Sequence, residues 1–100
     1  MVPDTTVLAR RLKLRQLLLL RALRDSGNLR RSAAALNLTQ PAATRMLQEL
    51  EGTLGVKLFE RSPRGMAPTP YGEAMIRHAG AVLADLDSAR EEISALAEGS

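Results

Sequence analysis

The sequence predicts a mainly α chain: three short helices, a two-stranded hairpin and one long terminal helix. Three observations carry that prediction. Residues 28–54 read as a short Ala-rich helix, a tight turn and a second helix with a capped start. The segment VKLFERSPRGMAPT then alternates around a Pro63-Arg64-Gly65 turn, as a short hairpin does. From Pro70 to about Ala97, the residues Met75, Ala79, Val82, Leu86, Ala89, Ile93 and Leu96 recur at gaps of 4, 3, 4, 3, 4 and 3, an unbroken 3.5-residue repeat.

Taken in order, residues 1–11 form a polar leader with no apolar period, expected to be poorly ordered. A first helix is expected from about Leu12 to Ser26, ended by Gly27, with Leu14, Leu17, Leu20 and Leu23 on its core side. Leu18 and Leu19 widen its apolar surface. Either the helix is broadly buried, or one of the two packs on the long terminal helix. Asn28 can cap the second helix. In that helix Ala33 permits close approach of a neighbour, and Leu36 is its last apolar anchor. Asn37 falls where the turn needs positive φ, which Asn tolerates better than most non-Gly residues. Leu38 plugs the turn into the core. Thr39 can accept from the free amides of the third helix, and Pro41 lies in its first turn, where a missing N–H costs little.

The third helix has two faces. Ala43, Leu47, Leu50 and Leu54 form one buried stripe. Gln40, Thr44, Arg45 and Gln48 project from another side. Gln pairs bidentately with adenine and Arg with guanine, while Thr offers a hydroxyl or a methyl. That is the equipment of a helix that reads the DNA major groove from its N-terminal end. Helix, turn and reading helix, followed by a hairpin with a basic tip, make a winged helix-turn-helix. Gln40, Pro41, Thr44, Arg45 and Gln48 are the expected base contacts, Pro41 meeting a thymine methyl. Thr39, Arg30, Arg31 and Lys57 are candidates for the sugar-phosphate backbone, although a solvated surface explains one of the two arginines, and Lys57, equally well.

Composition and charge agree. One hundred residues that are 45% hydrophobic suit one domain with an extended helix. Cys is absent and His78 is the single histidine, so no thiolate nucleophile, disulfide or metal site is expected, and no cofactor. The acidic pairs Asp85/Asp87 and Glu91/Glu92 have no catalytic companions, so an enzyme is not expected. With Phe59 and Tyr71 the only aromatics, an aromatic platform for single strands is excluded. The N-terminus has no apolar core of a signal peptide, and the Leu17–Leu20 run is far too short to span a membrane. A cytoplasmic protein without membrane partners is expected. Residues 1–65 hold 12 Lys/Arg against 5 Asp/Glu, whereas residues 66–100 hold 2 against 6. The basic part coincides with the helix-turn-helix and suits salt-dependent phosphate binding. The acidic part is the terminal helix, which should stay off DNA.

Thr69 and Pro70 should start that helix. Its length, ~1.5 Å per residue or roughly 40 Å in all, exceeds what a small domain can cover. Folding back on its own domain serves the first turns, around Tyr71–Ile76. The remainder needs a partner, most simply a second copy, so all seven repeat residues are expected on a dimer face.

The run SAAALNLTQPAATRMLQELEGTLGVKLFERS resembles the N-terminal DNA-binding domain of LysR-type transcriptional regulators. That family reads AA..L..SQPA.S..I..LE..LG..LF.R, then T..G at the start of a long helix. The resemblance runs from about Leu14 to Ala97 and rests on Gln40-Pro41-Ala42, Leu50-Glu51, Leu54-Gly55, Leu58-Phe59, Arg61, Thr69 and Gly72. The stretch RSPRGMAPTPYGE is similar to a branch that includes regulators of sugar and aromatic-acid catabolism. Asn28-Leu29-Arg30 departs from the usual Ser-Phe-Thr. The resemblance implies that Arg61 and Arg64 lie at the minor groove or its phosphates, that residues 12–69 are the DNA-binding domain, and that residues 70–98 are the linker helix pairing two copies. It implies binding of an interrupted palindrome by a homodimer. It also implies an effector domain, absent from this chain, through which alone a small-molecule inducer would act. The alternatives are a non-specific architectural DNA binder, or a coiled-coil protein-interaction module with an inert wing.

Overall fold

The computed structural model describes residues 1–99. Its elements are α1 (Thr5–Arg11), α2 (Leu14–Ser26), α3 (Leu29–Ala35), α4 (Gln40–Leu54), β1 (Phe59–Ser62), β2 (Gly65–Pro68) and α5 (Pro70–Glu98).

The leader is the first departure from the sequence reading. Residues 5–11 are helical because the Asp4 carboxylate accepts from Val7 N at 3.0 Å, and because Leu8 and Leu12, four residues apart, both rest on the core. The chain then breaks at Lys13, so the next helix begins at Leu14 rather than Leu12. Gln16 folds its side chain back, and its Oε1 accepts from Lys13 N at 2.9 Å, satisfying one free amide of the first turn. In α2 the buried leucines are Leu17, Leu19, Leu20 and Leu23. Leu14, expected among them, is exposed in the first turn of the helix, beyond the edge of the core. Leu19 enters the core, while Leu18 is half-buried in a groove with Leu83, Leu86 and Ile93 of α5. The two residues divide the roles that the sequence left open.

α2, α3 and α4 pack around one core, with Ala33 and Ala43 at their closest approaches and both fully buried. Asn28 Oδ1 accepts from Arg31 N at 3.0 Å and starts α3. Asn37 turns the chain at φ 58°. Thr39 Oγ1 accepts from Ala42 N at 3.2 Å and starts α4, and Gly55 ends it in the left-handed region at φ 76°.

The wing is antiparallel and pairs Phe59 with Pro68 and Ser62 with Gly65, leaving the two-residue tip Pro63-Arg64. The strand starts later than VKLFERS suggests because Glu51 Oε2 takes the amides of Leu58 and Phe59, at 2.7 and 3.3 Å. The return strand opens at Gly65, whose φ is 119°. A Cβ there would lie 2.5 Å from the Gly27 carbonyl oxygen, which also accepts from Met66 N at 3.1 Å. This contact staples the wing to the α2–α3 junction.

Thr69 joins wing to α5 with three bonds. Its Oγ1 donates to the Lys57 carbonyl at 2.6 Å and accepts from Gly72 N at 3.1 Å, and its own amide donates to the Leu58 carbonyl at 2.9 Å. A side chain on Gly72 would overlap that same Leu58 carbonyl, so the first turn of α5 can approach the strand only as glycine. α5 then lies along α2, burying Gly72, Ile76, Ala79 and Leu83, and continues beyond it. The molecule is 53 Å in its longest dimension and 21 Å in its shortest.

Candidate nucleic-acid interface

Helix α4 presents one covered face and one open face. Ala43, Leu47, Leu50 and Leu54 are buried. Gln40, Pro41, Arg45 and Gln48 are exposed, and Thr44 is half-buried between them and the wing. The N-terminal turn that carries Gln40 and Pro41 is held by the Thr39 cap, so their direction is fixed by backbone geometry. Arg45 has no carboxylate partner among the described residues, whose ion pairs are Arg24–Asp25, Arg90–Asp87 and Arg90–Glu91. An unpaired guanidinium and unpaired amides are free to meet base edges without first breaking an internal bond.

The wing borders this face on one side. A groove of about 520 Å³ between them is lined by Thr44, Gln48, Lys57, Glu60 and Arg61, with Leu29, Phe59 and Met66 in its floor. A second depression of about 350 Å³ brings Arg61, Arg30 and Gln40 around Ser62 and Gly65. Arg64 stands exposed at the hairpin tip, which Ser62 holds: its hydroxyl donates to the Gly65 carbonyl at 3.1 Å and accepts from Arg64 N at 3.2 Å. Gln40, Thr44, Gln48, Arg30, Lys57 and Arg61 therefore form one continuous polar, largely basic surface.

Arg31 does not join it. It lines a different groove, with Arg15, Arg21, Asp25 and Asn37, on the side of α3 that faces α2. Consecutive residues on a helix diverge by about 100°, so Arg30 and Arg31 face different ways.

On α5, the seven repeat residues also divide. Ala79 is buried at 1% exposure against α2 of its own chain, and Met75 is packed on the same core, so neither is open to a partner as expected. The intramolecular contact reaches Leu83, two turns past Ile76, while Tyr71, expected to pack inward, is 60% exposed. Val82, Leu86, Ile93 and Leu96 are exposed by 47, 50, 66 and 68%, and Ala89 is exposed with them. Beside them the polar face is internally paired: Arg90 Nε donates to Asp87 Oδ1 at 2.9 Å and holds that carboxyl below its usual pKa. The described residues hold no cluster of three or more candidate metal ligands, and no helix among them is long and apolar enough to cross a membrane.

A capped reading helix set beside a basic hairpin, with the hairpin's return strand leading into a long helix, defines a winged helix-turn-helix protein. The sequence model described as "Bacterial regulatory helix-turn-helix protein, lysR family" matches residues 14–73. This chain belongs to that family and is its DNA-binding domain, not an enzyme. It is 50% identical over 97 residues to the HTH-type transcriptional regulator GbpR of Azospirillum brasilense, covering 97% of this chain and 28% of that one. The chain thus spans under a third of that relative's length. Among solved structures, the DNA-binding domain of CbnR in complex with DNA is similar with a TM-score of 0.78 and 36% identity, over 86% of this chain and 99% of that one. The DNA-binding domain of BenM on catB site 1 DNA matches with a TM-score of 0.82 and 30% identity, over 88% of this chain and 95% of that one.

Proposed function

We propose that this chain reads double-stranded DNA in a sequence-specific way, as a homodimer acting on an interrupted palindrome, within a cytoplasmic transcriptional regulator. One observation carries the reading: the capped N-terminal half of α4 exposes Gln40, Pro41, Arg45 and Gln48 beside Thr44, next to a basic wing. In this arrangement α4 enters the major groove, with Gln40, Thr44, Arg45 and Gln48 at base edges and Pro41 against a thymine methyl. Thr39 and Lys57 hold phosphates, and Arg30 approaches them from the wing side. Arg61 and Arg64 reach the minor groove or its borders, where a long cation on a tight loop is favoured.

The second half of the proposal is the dimer. Leu18, Leu83, Leu86, Ala89 and Ile93 line an apolar groove of about 1010 Å³ between α2 and α5. Exposed Val82, Leu86, Ala89, Ile93 and Leu96 on α5 continue the same repeat, and a second copy of α5 is the occupant that matches a 3.5-residue period. Two reading helices related by two-fold symmetry then select half-sites about one DNA turn, or a multiple, apart. A small-molecule inducer would act through an effector domain outside these residues. Selection of bound duplexes from a random library at near-physiological salt tests this proposal. Recovery of a palindrome is the expected result, and binding with no recoverable motif would point to an architectural protein instead.

A further inference from the structure

The wing guards one flank of the reading face. The opposite flank carries a second set of cations. There the start of α2 meets α4 in a depression of about 250 Å³ lined by Lys13, Arg15, Ala42, Arg45, Met46 and Glu49, among others. The path of α1 brings more charge to the same place. A Cβ on Gly55, the C-terminal cap of α4, would lie 3.8 Å from the Met1 carbonyl oxygen, so the chain begins at the far end of α4. Helix α1 contacts α4 and runs back along it, ending in Arg10 and Arg11 just before Lys13. The chain therefore turns an elbow beside Arg45, at the reading end of α4.

Residues 5–24 contain six Lys/Arg and no Asp or Glu. Arg10, Arg11, Lys13 and Arg15 are all exposed, and none belongs to an ion pair of the described residues. Glu49 is the one carboxylate that lines the depression, a full turn of α4 farther from the reading end than Arg45. Four long cations that leave the protein's own carboxylates unused, continuous with a DNA-reading face, match a phosphate strand in charge and position. Arg10, Arg11 and Lys13 precede the residues that match the family, 14–73, so this feature belongs to α1 of this chain.

We propose that the α1–α2 elbow is a second backbone clamp: Arg10, Arg11 and Lys13, supported by Arg15, bind phosphates that flank the half-site on the side opposite the wing. The inference rests on the DNA reading proposed above. Because Arg10 and Arg11 point about 100° apart, one of them joins Lys13 at the strand. The elbow offers no hairpin tip or helix end for a groove, so it adds affinity and footprint without base preference.

The test is the salt dependence of binding to a duplex that this chain selects, for the unsubstituted chain and for a triple variant, Arg10→Gln/Arg11→Gln/Lys13→Gln, with Arg45→Ala as reference. Each lost phosphate contact lowers the slope of log K against log salt by about 0.9. The elbow variant should lose about two or more slope units per dimer while keeping the selected motif, and ethylation of phosphates just outside the half-site should cease to interfere with its binding. Arg45→Ala should instead change the motif. All three replaced side chains are exposed, so the melting temperature should stay put and separate a lost contact from a lost fold. An unchanged slope and an unchanged interference pattern would overturn the clamp while leaving the reading of DNA by α4 intact. Failure of the unsubstituted chain to bind any duplex would overturn both.

Discussion

Helices α4 and α5 are both amphipathic, yet they resolve their apolar faces in opposite ways. In α4 each of Ala43, Leu47, Leu50 and Leu54 is covered by the chain's own helices, and the opposite, polar face is left for a ligand. In α5 the same treatment reaches Leu83 and stops, and beyond it the apolar side itself is open. A period in the sequence announces that a face will be buried, but not by what. For α4 the answer comes from α2 and α3, which are long enough to span it. For α5 the 29-residue helix outruns the 13-residue α2 beneath it, and the surplus becomes an interface.

The largest contrast should appear in stability. Leu50→Ala should cost about 2–5 kcal/mol, since it removes a side chain that the fold cannot collapse around. Leu86→Ala should leave the fold of the individual chain within about 0.5 kcal/mol, because that residue is exposed in it. Thermal melts at concentrations where the chain is dissociated measure both. Equal losses would mean that α5 is covered intramolecularly after all.

A second break lies at the join between the two helices. Gly72→Ala should destabilise by about 1–3 kcal/mol, because the new methyl meets the Leu58 carbonyl and either α5 or β1 must shift. Comparison with Gly80→Ala sharpens the point. Nothing lies within 4 Å of a Cβ at Gly80, so that change should be neutral or stabilising, by up to about 1 kcal/mol from helix propensity. If both behave alike in chemical denaturation, the close approach at Gly72 is not needed.

On the polar face of α4, Arg45→Ala should cost about 1–3 kcal/mol of binding and relax one base position, whereas Arg61→Ala should weaken all sequences evenly and reduce the salt slope by about 1. Competition binding against a panel of single-base variants distinguishes them. An Arg45→Ala variant with unchanged preference would remove that residue from the reading face. The smallest effect belongs to the cap: Thr39→Ala should lower stability by about 1 kcal/mol without altering base preference, because the hydroxyl serves the Ala42 amide.

Much of the fold was legible in the sequence because local chemistry announces itself. Asn28, Thr39, Thr69, Asn37 and Gly55 each sit at a backbone position that few other residues fill, and the structure finds each in that role. Helix α1 was missed although its signal was present: Asp4 precedes it, and Leu8 and Leu12 are spaced for one face. A seven-residue helix with two apolar residues has too little period to stand out from a polar leader. The roles of Glu51 and Gln16 were not legible either, because a side chain that bonds a backbone amide seven residues away or turns back on its own helix leaves no pattern. The site residues on α4 were readable because helical spacing alone puts Gln40, Thr44, Arg45 and Gln48 opposite the leucines. The separation of Arg30 from Arg31, and of Ala79 from Val82, depends on which neighbours lie nearby, which the linear order does not contain.

The division between a reading face on α4 and a pairing face on α5 is tested most directly by selecting duplexes from a random library with two proteins side by side, the unsubstituted chain and Leu86→Asp. The unsubstituted chain should return an interrupted palindrome. The variant, with a charge placed in the pairing face and the reading face untouched, should return a single half-site of the same sequence with weaker binding. A palindrome of unchanged spacing and strength from Leu86→Asp would contradict the division.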